Sequence, residues 1–132
     1  MKFVKTRKIH VGASEDSIQK AILTWASYMK YKDGTLADYL VHCPNGGARS
    51  LSEGANFKKM GVKAGYPDLI LDIAKGGYHG LRIELKKLKG SRTEPEQKVR
   101  VKMLNDEGYY AVIVKGFDAA IDTIEKYMKG EL

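Results

Sequence analysis

The chain predicts an α/β layered domain built on a mixed sheet. Three observations carry this. Apolar residues recur at helical spacing near both ends, at Ile18, Ile22, Leu23, Trp25, Ala26 and Met29, and again at Ala120, Ile121, Ile124, Tyr127 and Met128. Between them lie short apolar runs punctuated by glycine, the signature of strands and tight turns. A third helical segment separates the last two strands, so the order is α β (α) β β α β α.

Residues 1–12 are a basic, mixed segment, either a ragged start or a short arm. Ser14 suits an N-cap, with Glu15 and Asp16 in the first turn, where the helix dipole favours acids. That helix is expected to end near Lys32-Asp33-Gly34, with Gly34 as its C-terminal cap. Residues 39–43 are a short strand, stopped by the turn residues Pro44-Asn45-Gly46-Gly47. Residues 50–60 make a short helix, and 61–67 a loop. A strand over 68–73 turns through Lys75-Gly76-Gly77-Tyr78 into a second strand over 79–86. After a basic loop, Thr93 and Glu96 have capping-box spacing, and Pro95 fits a first turn. That helix stops at Gly108. The run 109–114 is apolar nearly throughout, which marks a central strand covered on both faces. The last helix spans about 117–129.

The 132 residues are 43% hydrophobic, enough for a core, and are read as one domain with 1–12 as a possible basic arm. Twenty-three basic residues against 16 acidic give a net charge of +7, which favours a polyanionic partner. Cys43 is alone, so an intrachain disulfide is excluded. One cysteine and three scattered histidines argue against structural zinc, and His42, His79 and Cys43 lack nucleophile spacing. No phosphate-binding loop or dinucleotide fingerprint is present. No apolar run can span a bilayer and no signal peptide is visible, so the expectation is a soluble, cytoplasmic protein without a membrane partner.

The chemistry concentrates between Gly65 and Gln97. Strand side chains alternate faces, so Leu81, Ile83 and Leu85 point to a core while Arg82, Glu84 and Lys86 share the other face. Asp68 lies within reach of Glu84 across the hairpin. Two carboxylates on adjacent strands suit Mg²⁺, which takes oxygen ligands and keeps several waters. A lysine beside them suits a charge-stabilising or nucleophile-orienting role. A solvated strand face is the bland alternative for Glu84 and Lys86, as a strand end is for Asp72. The hairpin sets a condition. Gly76-Gly77 suggests a two-residue turn pairing 75 with 78. Carried unchanged to the strand end, that register puts Asp68 opposite Leu85 on the core face. A shared metal site therefore calls for an odd loop or a bulge, unless Asp68 escapes the register at the frayed strand start beside Pro67.

Pro67-Asp68 followed by Glu84-Leu85-Lys86 resembles the Pro-Asp…(Asp/Glu)-x-Lys nuclease superfamily. Residues 61–69, Arg82 to Lys86, Thr93-Glu94-Pro95-Glu96-Gln97, Leu104 before Gly108, Glu15, Gln19, Pro44-Asn45-Gly46-Gly47 and Arg49 together are similar to the VRR-NUC (virus-type replication-repair nuclease) domain. Tyr66 departs from the pattern, standing where a smaller apolar residue is expected. The resemblance implies a restriction-endonuclease-like, three-layer α/β fold, a central mixed sheet with helices on both faces. It implies Asp68, Glu84 and Lys86 as the catalytic core, with Gln97 as a helper on the following helix. It implies Mg²⁺ or Mn²⁺ held by Glu15, Asp68, Glu84 and the Leu85 backbone carbonyl. It also implies cleavage of DNA, branched or flap-like, by a homodimer. On residue type alone, Glu15 equally fits a dipole acid and Gln97 an exposed helical polar residue. Asn45, Arg49, Lys58, Lys59, Lys63, Lys87, Lys89 and Arg92 flank the site in sequence and are the candidate DNA contacts. For each basic residue singly, a solubilising surface is the alternative. So, for the whole, is a non-catalytic DNA-binding or assembly protein that keeps the fold.

Overall fold

A computed structural model describes residues 12–44 and 51–132. The stretch 1–11, most of the basic arm, and residues 45–50, with Asn45, Arg49 and the glycine turn, lie outside the described residues. Helix α1, Glu15–Ala26, starts where Ser14 caps it, its hydroxyl accepting from the Ser17 N–H at 3.1 Å. It buries Ile18, Ile22, Trp25 and Ala26. It also stops earlier than the apolar stripe suggests. Lys30–Tyr31 (β1) and Gly34–Thr35 (β2) form a small hairpin around Lys32, whose φ is +50°. Gly34 therefore serves a strand and not a helix cap. Met29 still packs against the core, but from beyond the helix end, so a helical period alone overran the boundary.

A 3₁₀ turn, Leu36–Tyr39, opens with the Asp38 carboxylate accepting from the Thr35 N–H and leads into β3, Leu40–His42. Helix α2 is Leu51–Lys59. Strands β4, Leu69–Leu71, and β5, Leu81–Lys86, are antiparallel. Helix α3, Pro95–Asp106, crosses to β6, Tyr110–Lys115, which runs parallel to β5. Helix α4 is Phe117–Met128. The main sheet has the order β3-β4-β5-β6 and is mixed.

The core lies on one face of this sheet. Leu81, Ile83 and Leu85 of β5 join Leu69 and Leu71 of β4. Against them pack Ile18, Ile22 and Trp25 of α1 and Phe117, Ala120, Ile121, Ile124 and Tyr127 of α4. The Tyr127 hydroxyl is satisfied by the Ile73 carbonyl at 2.6 Å. Helix α3 covers the opposite face, with Gln97 bonded to Glu84 and Asn105 to Ala111. The result is the three-layer, restriction-endonuclease-like arrangement.

Strand β6 corrects one expectation. It is apolar because helices cover both its faces, yet among the described strands it stands at the sheet edge. The Asn105 side chain masks part of that edge. Its amide donates to the Ala111 carbonyl and accepts from the Ala111 N–H, both at 2.9 Å, as a neighbouring strand would. Face coverage and edge position are independent, and composition reports only the first.

Candidate active site

The hairpin register decides whether the two acids meet. Leu69 pairs with Ile83, Ile70 with Arg82 and Leu71 with Leu81, so the next position sets Asp68 opposite Glu84. The two-residue turn is also present, with Lys75 bridged to Tyr78. The two registers differ by one residue. Between them Asp72, Ile73 and Ala74 face only His79 and Gly80, so the extra residue is absorbed as a bulge. Ile73 is buried there, and the Asp72 N–H continues the β3–β4 register onto the Tyr39 carbonyl. Asp72 itself is exposed, just past the end of β4.

Pro67 shapes the next pair. The Gly80 and Lys86 carbonyls accept bonds from the β6 side, so alternate residues Leu81, Ile83 and Leu85 bond toward β4. Leu85 would face Pro67, which has no N–H to offer its carbonyl. The Leu85 N–H instead donates to Asp68 Oδ2 at 2.8 Å. The Asp68 backbone carbonyl is held from the other side by the Cys43 N–H at 2.7 Å and by His42 Nδ1 at 3.1 Å. Asp68 is thereby fixed at the strand start, turned toward Glu84.

Glu84 and Lys86 are buried, 4% and 6% exposed, with Lys86 Nζ 3.7 Å from Glu84 Oε2. Burial is the main force on the Glu84 carboxyl. The Asp68 charge and a hydrogen bond shared with Asp68 add to it, Lys86 opposes, and Glu15 adds a little more. Together they push Glu84 from its ordinary 4.5 up to about 8. The shift thus has two main causes, burial of the Glu84 carboxyl and its contact with a second acid. Burial and the Asp68 charge also push the Cys43 thiol upward, so the lone cysteine is no activated nucleophile.

Gln97 is the hinge between helix and site. Helix α3 is capped one residue later than its Thr93 and Glu96 suggest: Gln97 Oε1 accepts from the Glu94 N–H at 2.9 Å. The same amide then donates from Nε2 to Glu84 Oε2, also at 2.9 Å. One side chain closes the helix start and orients the acid. Gly65 permits this approach. Its φ is +79°, and a Cβ there would fall 2.5–2.7 Å from the backbone of Glu96 and Gln97.

Glu15, Asp68, Glu84, Lys86 and Gln97 line one cleft of about 150 Å³, together with Gly65 and Tyr66. Among the described residues no three His, Cys, Asp or Glu side chains form a ready-made cage. The converging carboxylates are Asp68 and Glu84, with Glu15 on the wall. This donor set fits a divalent cation. Two hard oxygen ligands stand together, their repulsion unrelieved by Lys86 alone.

The basic candidates stay outside this cleft. Lys58, Lys59, Lys63 and Lys89 are exposed and Lys87 is half-buried. Arg92 pairs with Glu94 at 2.9 Å on the surface. Two residues given no role from the sequence bear on the cleft: Gly65, which lines it and lets Gln97 approach, and Arg100, which lies over the Tyr66 ring at 5.7 Å. No helix among the described residues is long and apolar enough to cross a membrane.

No family model and no curated protein matches the chain. A solved structure described as a VRR_NUC domain protein is similar, with 50% identity, a TM-score of 0.81, and coverage of 89% of this chain and 90% of that one. Identity at this level over nearly the whole of both chains exceeds what a shared fold alone requires, and the chain belongs to the VRR-NUC family.

Proposed function

We propose that the protein is a Mg²⁺- or Mn²⁺-dependent endonuclease that hydrolyses DNA phosphodiester bonds, selectively at branched, junction or flap structures, and acts as a homodimer. The observation that carries this is the contact of Asp68 with Glu84 beside Lys86, in a cleft where burial already disfavours a second negative charge. Asp68 and Glu84 would hold the cation, with Glu15 and the Leu85 carbonyl as further oxygen donors. Bound there, it supplies charge neutralisation at the phosphate and a more acidic water. The chain's own groups do the rest. Lys86 sets an ammonium where it can orient a nucleophile or stabilise charge on the transferring phosphate. Gln97 holds the Glu84 carboxylate in place. Lys58, Lys59, Lys63, Lys87, Lys89 and Arg92, with Asn45 and Arg49, would track the DNA backbone.

The test is cleavage of end-labelled four-way junction, flap and linear duplex with Mg²⁺, Mn²⁺ or EDTA. The expected result is metal-dependent cutting, fastest on the branched DNA. DNA bound but uncut in either metal would establish the alternative, a non-catalytic DNA-binding protein on a nuclease fold.

A further inference from the structure

A second, larger cleft adjoins the active site, and Tyr66 is the wall between them. It lies on the face of the sheet that carries Glu84, because Ile70 at its floor pairs with Arg82. Phe57 of α2, Val62 and Tyr66 form its sides, and Lys63 stands on its rim. Helix α3 packs on β6 on this face and reaches Glu84 of β5 through Gln97, while at the β3 end Val41, paired with Ile70, is 44% exposed. The cleft encloses about 580 Å³, within the roughly 300–1,000 Å³ of small-ligand sites. Its lining is mostly apolar and two of its walls are aromatic. Its basic neighbours are Lys58 and Lys59 on the helix of Phe57, and Arg100 over Tyr66.

We propose that this cleft takes an unstacked nucleobase of the strand being cut, from a nucleotide next to the scissile phosphate. The inference rests on the nuclease reading above and adds a subsite to it. A base offers a flat apolar face on a negatively charged backbone. The cleft offers the complement, aromatic and aliphatic walls within a cationic rim, opening directly beside the carboxylates that face the phosphate. Bases drawn from a stack are held by such sandwiching, and side-chain stacking is tolerant of sequence. A nucleotide already unpaired enters without the loss of stacking and pairing, which favours strands at a branch.

The experiment uses the full chain and a splayed-arm DNA, in EDTA so that no strand is cut. The first unpaired nucleotides are replaced one at a time by abasic ones. With wild-type protein one position should lose about 5- to 150-fold in affinity, the range of a single base–aromatic contact. Phe57→Ala and Val62→Trp, which opens or fills the cleft, should each erase that discrimination while binding of fully paired duplex stays unchanged. Equal wild-type affinity for every abasic DNA overturns the subsite and leaves the nuclease reading standing, and this arm needs no variant to fold. Absence of binding to any DNA, in EDTA and with Mg²⁺ alike, overturns both. Loss of a dimer in Val62→Trp with base discrimination intact shows a second copy of the chain in the cleft and overturns the proposal.

Discussion

The two faces of β5 show how one strand can serve opposite ends. Leu81, Ile83 and Leu85 are at most 1% exposed beneath α1 and α4. Two residues of the other face are nearly as buried, yet they are Glu84 and Lys86. Burial of the first face removes apolar area from water and stabilises the fold. Burial of the second raises the free energy of an ionised acid and leaves the site short of positive charge. Equal burial thus yields stability on one side and reactivity on the other, and the alternation of the strand keeps the two apart.

Removing the acids should break this comparison most strongly. Asp68→Asn and Glu84→Gln should each lower cleavage at least about a thousandfold, in the upper range for a lost catalytic group, with melting temperature retained. Steady-state rates with Mg²⁺ check it, and near wild-type cutting by either variant would dissolve the site. The matching change on the core face is Ile83→Ala. It should cost about 2–5 kcal/mol of stability, read by urea denaturation, while the folded fraction keeps its metal requirement. A lost metal response there would mean that the faces are not independent.

Lys86→Ala should lower the rate about a hundredfold and leave metal binding intact, because an ammonium is no ligand. Titration calorimetry showing weakened metal binding with normal turnover would contradict both parts. Gly65→Ala acts on the join between the faces and the helix start. A side chain at φ +79°, against the Glu96 and Gln97 backbone, should destabilise by about 1–3 kcal/mol and reduce activity by loosening Gln97 from Glu84. Gln97→Ala should reproduce the activity loss by freeing Glu84, and should cost about 0.5–2 kcal/mol by opening the helix cap at Glu94.

The last effect is one of pH, and it is spread over several units. Glu84 titrates near 4.5 when unfolded and near 8 in the folded, metal-free protein. Between those values the folded state holds a proton that the unfolded state has released. The contribution is therefore fully present below pH 4.5, declines as pH rises, and is gone above about 8. Chemical denaturation across this window should show that slope, and Glu84→Gln should flatten it. A slope unchanged in the variant assigns the titration to another group.

Much of this was legible in the sequence because it is local. The alternation over residues 81–86 separates core from chemistry before any partner is known. Ser14, Glu15 and Asp16 mark a helix start through their own backbone bonds and dipole. The conflict of registers is also readable, since Gly76-Gly77 defines one and the carboxylates demand the other, but an odd loop, a bulge and a frayed strand start all answer it and only the structure shows the bulge. What a sequence cannot carry is the outcome of packing at a distance. Helix α1 ends at Ala26 because the next residues pair as a hairpin, while its apolar period runs on to Met29. Strand β6 reads as central because helices cover both faces, although Asn105 stands where a further strand would be. The capping box moved from Thr93 and Glu96 to Glu94 and Gln97, which aims Gln97 at Glu84. Tyr66 read as a departure from a pattern, and only the fold places it between two clefts. Periodicity and capping depend on neighbours within a few residues and are written into the chain by itself. Edge position, register and the meeting of Asp68, Glu84 and Gln97 depend on which distant surfaces pack together, so the tertiary structure alone decided them.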